Sequence, residues 1–194
     1  MMSTKAIFFD RDGVLNKDVN LLCRIEDIVI PKETIDAFRL LYGTEYKNIV
    51  VSNQTVISRG LASENDVDRI NQHISDEIFT LTSCRIDRFY ICPHHPDATL
   101  EKYRKSCDCR KPMPGMLKEA AKDYDIDLAR SWMIGDRISD IIAGHRAGCR
   151  TIIIRTGMHK EKPIISDDMD LSIAPDYFCD NLLEAVLIIL KDII

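Results

Sequence analysis

The chain has 194 residues, with 26 lysines and arginines against 31 aspartates and glutamates, and a formal net charge of −5. Hydrophobic residues make up 45% of it and charged residues 29%, values typical of a globular protein with a substantial core. The acidic balance argues against a general nucleic-acid binder, and no apolar run reaches the roughly 18 residues of a membrane span. With no signal peptide or exposed apolar stripe in the pattern, we expect a single domain over 1–194 that is monomeric and cytoplasmic.

The predicted elements alternate between strands and helices along the whole chain. Short apolar runs predict buried strands, and apolar residues at helical spacing predict helices. In chain order these are strand 6–9, helix 33–42, strand 47–52, helix 63–82, strand 88–91, helix 114–124, strand 132–134, helix 139–147, strand 151–154 and helix 181–193. This alternation predicts a doubly wound, Rossmann-like α/β fold with a parallel sheet.

One long segment, residues 93–112, has no periodicity, and three of the seven cysteines lie in or beside it. Cysteines that cluster in a reducing compartment indicate a metal site. Three thiolates and an imidazole form a soft tetrahedral set that suits Zn²⁺, and four protein ligands would make the site structural. The potential ligands are Cys92, Cys107, Cys109 and either His94 or His95, between which spacing does not decide.

Polar side chains follow the predicted strands at the edge where parallel sheets bind ligands. They are Asp10, Asp12, Ser52, Asn53, Gln54, Thr55, Asp136, Arg137 and Asp140, joined by Arg110 and Lys111 before the helix at 114. Phosphoryl transfer needs cations around the phosphate, oxygen ligands for a hard metal, and a nucleophile in line. The set therefore predicts a phosphoryl-transfer site.

Asp10 and Asp12 are two residues apart on an extended segment, so we expect both side chains on one side and Arg11 pointing away. One carboxylate can attack phosphorus to give an aspartyl-phosphate, while the other protonates the leaving oxygen. Asp136 would complete a Mg²⁺ site with Asp10 and a backbone carbonyl. Gly13 permits a close approach of the backbone beyond the strand.

These motifs resemble those of the haloacid-dehalogenase-like (HAD) phosphatases. The segment 8–16 is similar to their first motif, Ser52-Asn53-Gln54 to the second, Lys111 to the third, and 135–140 to the fourth. The Asp-Arg-Asp-Gly form and the pattern Cys-Pro-His-His-Pro…Cys-Asp-Cys-Arg-Lys-Pro resemble the branch of heptose-bisphosphate and histidinol-phosphate phosphatases. The resemblance covers residues 6–157.

The resemblance implies that Asp10 is the nucleophile and that Asp12 is the general acid and later the base for water. It also implies that Asp10, the Asp12 carbonyl and Asp136 hold Mg²⁺, with Asp140 outside the metal's ligands. In the cysteine-rich loop, residues 92–109, it favours His94 as the fourth zinc ligand.

The same resemblance gives the cations and the hydroxyl their roles. Ser52 and Lys111 would stabilise the transferring phosphoryl group, and Arg110 would recognise the substrate. Arg137 stands where the family often has lysine, and we expect it to contact substrate or phosphate.

The segments between the motifs are too short for a separate cap domain, so specificity must come from loops. We expect those loops to be 18–21, 54–59 and the zinc loop. The additional residues expected to contact substrate are Asp18, Asn53, Gln54, Thr55 and Arg59. Segments 18–23 and 55–58 depart from the usual pattern of the branch, which leaves the preferred anomer open.

The resemblance favours removal of the 7-phosphate of D-glycero-D-manno-heptose 1,7-bisphosphate, through an aspartyl-phosphate, for nucleotide-activated heptose biosynthesis. Histidinol phosphate is the alternative substrate. A catalytically inactive, zinc-stabilised scaffold is the alternative of another class, against which the presence of Asp10, Asp12 and Asp136 argues.

Overall fold

The computed structural model describes residues 3–156 and 173–191. The strands are β1 Lys5–Phe9, β2 Tyr46–Asn53, β3 Arg88–Cys92, β4 Trp132–Gly135, β5 Arg150–Ile154 and β6 Tyr177–Cys179. The helices are α1 Lys32–Leu41, α2 Thr55–Ser58, α3 Glu64–Thr82, α4 Gly115–Tyr124, α5 Ile138–Ala147 and α6 Leu182–Lys191. The five predicted strands and five predicted helices are confirmed within a few residues, and residues 192 and 193 of the last predicted helix lie outside the described residues.

All six strands form one parallel sheet in the order β3-β2-β1-β4-β5-β6. The central strand β1 is apolar throughout its last four residues, each of which has 0% exposure. It pairs on one side with β2, where Phe8 is opposite Ile49, and on the other with β4, where Phe8 is opposite Met133. A strand enclosed by neighbours and covered on both faces needs such an uninterrupted apolar run.

Helices cover both faces of the sheet, which confirms the doubly wound α/β fold. On one face Phe9 packs in a cluster with Phe38 of α1, Ile74 of α3 and Val186 of α6. On the other face Phe8 belongs to a second cluster, to which α4 and α5 contribute. Phe8 and Phe9, which are successive residues of β1, therefore pack into the two apolar clusters on opposite faces of the sheet.

The predicted start of α3 is confirmed by a reciprocal cap. The Ser63 hydroxyl accepts a hydrogen bond from the Asp66 backbone N–H at 3.1 Å, and the Asp66 carboxylate accepts one from the Ser63 backbone N–H at 2.9 Å. These contacts satisfy backbone donors that a helix start leaves free.

The segments between the strands are short, as predicted. Residues 10–45 hold one turn of 3₁₀ helix and α1, and residues 54–114 hold α2, α3, β3 and a loop with another 3₁₀ turn. Across 3–156 and 173–191 the chain contains no separate cap domain, and none of its helices is long and apolar enough to cross a membrane.

Candidate active site

A cavity of about 200 Å³ lies at the carboxyl ends of β1, β2 and β4. Most of the residues predicted at the strand ends line it. The lining consists of Asp10, Asp12, Asp18, Asn20, Ser52, Asn53, Thr55, Arg110, Lys111, Arg137, Ser139 and Asp140. Asn20 belongs to the loop 18–21 that was predicted to provide specificity, although it was not named itself. Ser139 was not predicted to contact substrate, because a single polar residue at a helix start carries no signal of its own.

The Lys111 ammonium group contacts two acidic side chains of the site. Its Nζ lies 2.9 Å from Asp10 Oδ1 and 2.7 Å from Asp140 Oδ1, and it donates a hydrogen bond to the Val51 carbonyl at 2.8 Å. Burial lowers the pKa of this ammonium, but the two carboxylates outweigh that effect and raise it above its ordinary value. Lys111 therefore stays charged beside Asp10.

Asp10 is held through one of its two carboxylate oxygens. Oδ1 accepts the contact from Lys111 and a hydrogen bond from the Arg11 backbone N–H at 2.7 Å. Neither contact involves Oδ2. These contacts orient the Asp10 side chain and leave Oδ2 free of them, so that Oδ2 can react.

Asp136 has a fully buried side chain, and neither of its carboxylate oxygens has a hydrogen-bond partner in the described part of the chain. Carboxylate oxygens of Asp10, Asp136 and Asp140 lie within 4.8 Å of one another. Burial and the charges of the other two raise the pKa of Asp136 well above its ordinary value. The Asp136 Oδ2 atom lies 3.9 Å from Arg137 Nε, beyond hydrogen-bond distance. Buried carboxylate oxygens without a hydrogen-bond partner in such a group fit a hard cation such as Mg²⁺.

Gly13 makes room for that carboxylate. Its φ is +85°, and a Cβ built on it would lie 2.4 Å from Asp136 Oδ2. No other residue fits this position without displacing Asp136.

Asp12 accepts hydrogen bonds from three side chains. Arg11 donates to both of its oxygens, at 3.2 and 2.8 Å, Asn16 donates at 2.9 Å, and Gln54 donates at 3.1 Å. Burial acts to raise the pKa of Asp12, but the Arg11 guanidinium and these hydrogen bonds outweigh it and lower the pKa below its ordinary value. The Arg11 side chain is buried and does not line the cavity, but its guanidinium still reaches Asp12. The alternation of side chains along an extended segment does not predict this contact.

The residues at the end of β2 separate into two groups. Ser52, Asn53 and Thr55 line the cavity, whereas Gln54 is buried beneath it and donates to Ser52 Oγ at 2.8 Å. Arg59, predicted to contact substrate, is exposed at the end of α2 and does not line this cavity.

The loop that carries Lys111 is fixed to β2 by a reciprocal pair of hydrogen bonds. Asn53 Nδ2 donates to the Lys111 carbonyl, and the Lys111 N–H donates to Asn53 Oδ1, both at 3.0 Å. Asn53 therefore holds the backbone of the loop as well as lining the cavity.

Two arginines stand at the rim. Arg137 lies 3.0 Å from the buried Asp18 carboxylate, to which it donates a hydrogen bond, and it is 38% exposed. Arg110 donates to the His94 carbonyl at 3.0 Å, which ties it to the cysteine-rich loop.

The loop brings Cys92, His94, Cys107 and Cys109 together. Neighbouring ligand atoms of this cluster are 3.1 to 3.7 Å apart. A tetrahedral zinc ion with Zn–S bonds of about 2.3 Å has edges of about 3.8 Å, so the donor set fits zinc after a small expansion. His95 lies outside the cluster, and its Nδ1 accepts a hydrogen bond from the Asp97 N–H at 3.0 Å.

This chain is similar in sequence to known phosphatases. Residues 108–185 match the HAD-hydrolase-like family. The D-glycero-alpha-D-manno-heptose-1,7-bisphosphate 7-phosphatase of Photorhabdus laumondii is 38% identical over 160 residues, which are 82% of this chain and 87% of that protein. The D-glycero-beta-D-manno-heptose-1,7-bisphosphate 7-phosphatase of the same organism is 40% identical over 153 residues, 78% of this chain and 81% of that protein.

A solved structure extends the similarity to the whole fold. The D,D-heptose 1.7-bisphosphate phosphatase from B. bronchiseptica, complexed with magnesium and phosphate, superimposes with a TM-score of 0.82 at 26% identity. The match covers 97% of this chain and 99% of that one. The chain therefore belongs to the HAD-like phosphatases, in the branch of the heptose-1,7-bisphosphate 7-phosphatases, and is a phosphoric monoester hydrolase.

Proposed function

We propose that this protein removes the 7-phosphate of D-glycero-D-manno-heptose 1,7-bisphosphate and releases heptose 1-phosphate. The observation that carries the chemistry is the placement of Asp10, with Lys111 on one oxygen and the Asp136 oxygens, which accept no hydrogen bond from the described residues, beside it. The substrate follows from the two Photorhabdus relatives, whose names specify this bisphosphate. The product would be the sugar 1-phosphate that nucleotide activation requires.

In the first half of the reaction, an Asp10 carboxylate oxygen attacks the phosphorus of the 7-phosphate. A bond forms between Asp10 and phosphorus, and the bond from phosphorus to the sugar C7 oxygen breaks. Asp12, which would take up a proton when the anionic phosphate binds beside it and raises its pKa, gives that proton to the departing oxygen. Lys111 and Ser52, which line the cavity, stabilise the negative charge on the other phosphoryl oxygens.

In the second half, Asp12 takes a proton from water, and the water oxygen attacks phosphorus. The bond between Asp10 and phosphorus breaks, which regenerates the Asp10 carboxylate and releases inorganic phosphate. Asp12 starts this step as a carboxylate because it has just given up its proton. Its hydrogen bonds from Arg11, Asn16 and Gln54 stabilise that ionised form.

Asp10, Asp136 and the Asp12 carbonyl would hold Mg²⁺, which would neutralise charge on the phosphoryl oxygens. The remaining cavity residues would recognise the sugar end of the substrate. Arg110 and Arg137 supply positive charge at the rim, and Asp18 orients Arg137 by its ion pair.

Zinc in the cysteine cluster would act through structure alone. The His94 carbonyl receives the hydrogen bond from Arg110, and Lys111 is the next residue in the chain. A metal that fixes His94 and Cys109 would fix the two cations with respect to the cavity. We expect loss of the metal to weaken substrate binding without removing Asp10 or Asp12 from their places.

The test is phosphate release with Mg²⁺ from a panel of substrates. The panel holds both anomers of heptose 1,7-bisphosphate, histidinol phosphate, fructose 1,6-bisphosphate and an aryl phosphate. Asp10→Asn is expected to abolish turnover, whereas Asp68→Asn, at an exposed position on α3, should leave it unchanged.

We expect kcat/KM for one heptose anomer to exceed that for every other substrate. A preference for histidinol phosphate would overturn the proposed substrate and keep the chemistry. Equal activity of Asp10→Asn and the unaltered protein would overturn the nucleophile.

A further inference from the structure

A buried guanidinium stands behind the active-site cavity. Arg11 has 0% exposure, although it follows the nucleophile directly in the chain. A charged group removed from water must be paired and hydrogen-bonded, or its burial is strongly unfavourable. Its Nε and one terminal nitrogen make a bidentate contact with Asp12, at 3.2 and 2.8 Å. Such a contact fixes the plane of the carboxylate as well as its charge.

Two side-chain amides accept the other hydrogen bonds of Arg11. Asn71 Oδ1 accepts one at 3.0 Å, and Gln54 Oε1 accepts one at 2.9 Å. Gln54 also touches Asp12 and Ser52, so it belongs to the active site. Asn71 is different: it lies on α3, 60 residues from Arg11 in the chain, is 4% exposed, and does not line the cavity.

We propose that Asn71 is a positioning residue for phosphoryl transfer, which acts through Arg11 on Asp12. The proposal rests on the proposed function, in which Asp12 protonates the leaving oxygen. If the Asn71 oxygen is removed, a buried N–H of Arg11 loses its acceptor, and the guanidinium turns toward another one. Because the guanidinium holds both oxygens of Asp12, the carboxylate turns with it. Every group that touches substrate keeps its identity, yet the proton donor is misaligned.

The role of a proton donor is measured by changing the basicity of the leaving group. Phenyl phosphate releases a phenolate whose conjugate acid has a pKa of about 10, as tyrosine has, so its departure needs the proton. The phenolate from p-nitrophenyl phosphate is a much weaker base and departs without one. The value of kcat/KM covers the steps up to this departure, so hydrolysis of the aspartyl-phosphate does not enter the comparison.

The experiment compares kcat/KM on the two aryl phosphates for Asn71→Leu, which keeps the side-chain size, and for Asn71→Ala, which favours the helix in case the first variant does not fold. Asp12→Asn sets the scale for loss of the proton donor. Ile74→Ala is the matched control, because Ile74 is fully buried on the same helix and its apolar side chain cannot accept a hydrogen bond from Arg11.

We expect the Asn71 variants to lower kcat/KM for phenyl phosphate about 10-fold more than for p-nitrophenyl phosphate. Ile74→Ala should lower both together. An equal loss on both substrates in the Asn71 variants, with an unequal loss in Asp12→Asn, would overturn the positioning role and leave the proposed function standing. An equal loss in Asp12→Asn itself would overturn the positioning role together with the proton-donor role proposed for Asp12, since Asp12 would then not protonate the leaving group.

Discussion

Gly13→Ala is the sharpest test of the magnesium site. The substitution places a Cβ 2.4 Å from Asp136 Oδ2 and 2.7 Å from Asp136 Cγ, well inside ordinary contact at 3.4 Å. The Asp136 side chain is fully buried, so its carboxylate must move when the Cβ is added. We therefore expect the carboxylate to shift by about 1 Å away from its present place beside Asp10.

Two effects of different size follow from this geometry. At a φ of +85°, a Cβ costs about 1–2 kcal/mol of folding free energy, which for a protein of this size lowers the thermal midpoint by about 2–8 °C. A displacement of about 1 Å in a group that positions the reaction costs about 10²-fold in rate. Loss of geometry at the metal should raise the Mg²⁺ concentration for half-maximal activity by about 10- to 100-fold.

Gly148→Ala separates the two effects. Gly148 has a φ of +91°, so the backbone strain is similar, but nothing lies within 4 Å of its added Cβ. Melting curves should show a loss of stability in both variants, at least as large in Gly13→Ala because its Cβ also meets Asp136. Mg²⁺ titrations of phosphatase activity should show a loss of Mg²⁺ affinity in Gly13→Ala alone. Wild-type Mg²⁺ dependence in Gly13→Ala would refute the placement of the metal at Asp136.

Three further predictions concern charge and metal. Lys111→Met, which keeps the side-chain length without the charge, should lower kcat by at least about 10²-fold in steady-state assays, and a smaller loss would contradict stabilisation by this cation. Elemental analysis should find one zinc per chain, lost in Cys107→Ala together with part of the thermal stability but kept in Cys84→Ala, a buried thiol outside the cluster. Burial raises the pKa of Asp140 to about 6 and also raises that of Asp136, so these two carboxyl groups bind more protons in the folded state than in the unfolded one. Hydrogen bonds and ion pairs lower the pKa of the carboxyl groups of Asp12, Asp27, Asp36, Glu45 and Asp66, whose contribution to stability is complete above about pH 5. In magnesium-free buffer the melting temperature should therefore fall as the pH rises from about 5 through about 6, and a rise across this range would contradict the buried carboxylate group.

The sheet was predictable from sequence because each of its first five strands has an apolar run of its own. The strand β6 was missed since it has only three residues, of which two are exposed and just Cys179 is buried. The four-residue helix α2 was missed for a similar reason, because it is too short to show a period. Elements of this size depend on their neighbours in space more than on their own composition.

The contents of the cavity were predictable because strand ends meet at one edge of a parallel sheet. The partners behind the cavity were not. The sequence pattern predicts that the Arg11 side chain points to the opposite side from that of Asp10. It does not predict that the Arg11 guanidinium donates a hydrogen bond to Asp12, or that Asn71 accepts one from it. Gln54 could be assigned to the site by its position, whereas its burial beneath Ser52 depends on packing that only the folded chain provides.

The central position of β1 has a consequence for how this protein acquires its activity as it folds. The Ala6 N–H at the start of β1 donates to the Ser131 hydroxyl just before β4, and these residues are 125 positions apart in the chain. Contacts of such long range slow the folding of parallel sheets. Asp10 is thus made early in synthesis, but Asp136 joins it only when β4 has docked. During refolding, phosphatase activity should therefore not appear before β4 has paired with β1 at the centre of the sheet.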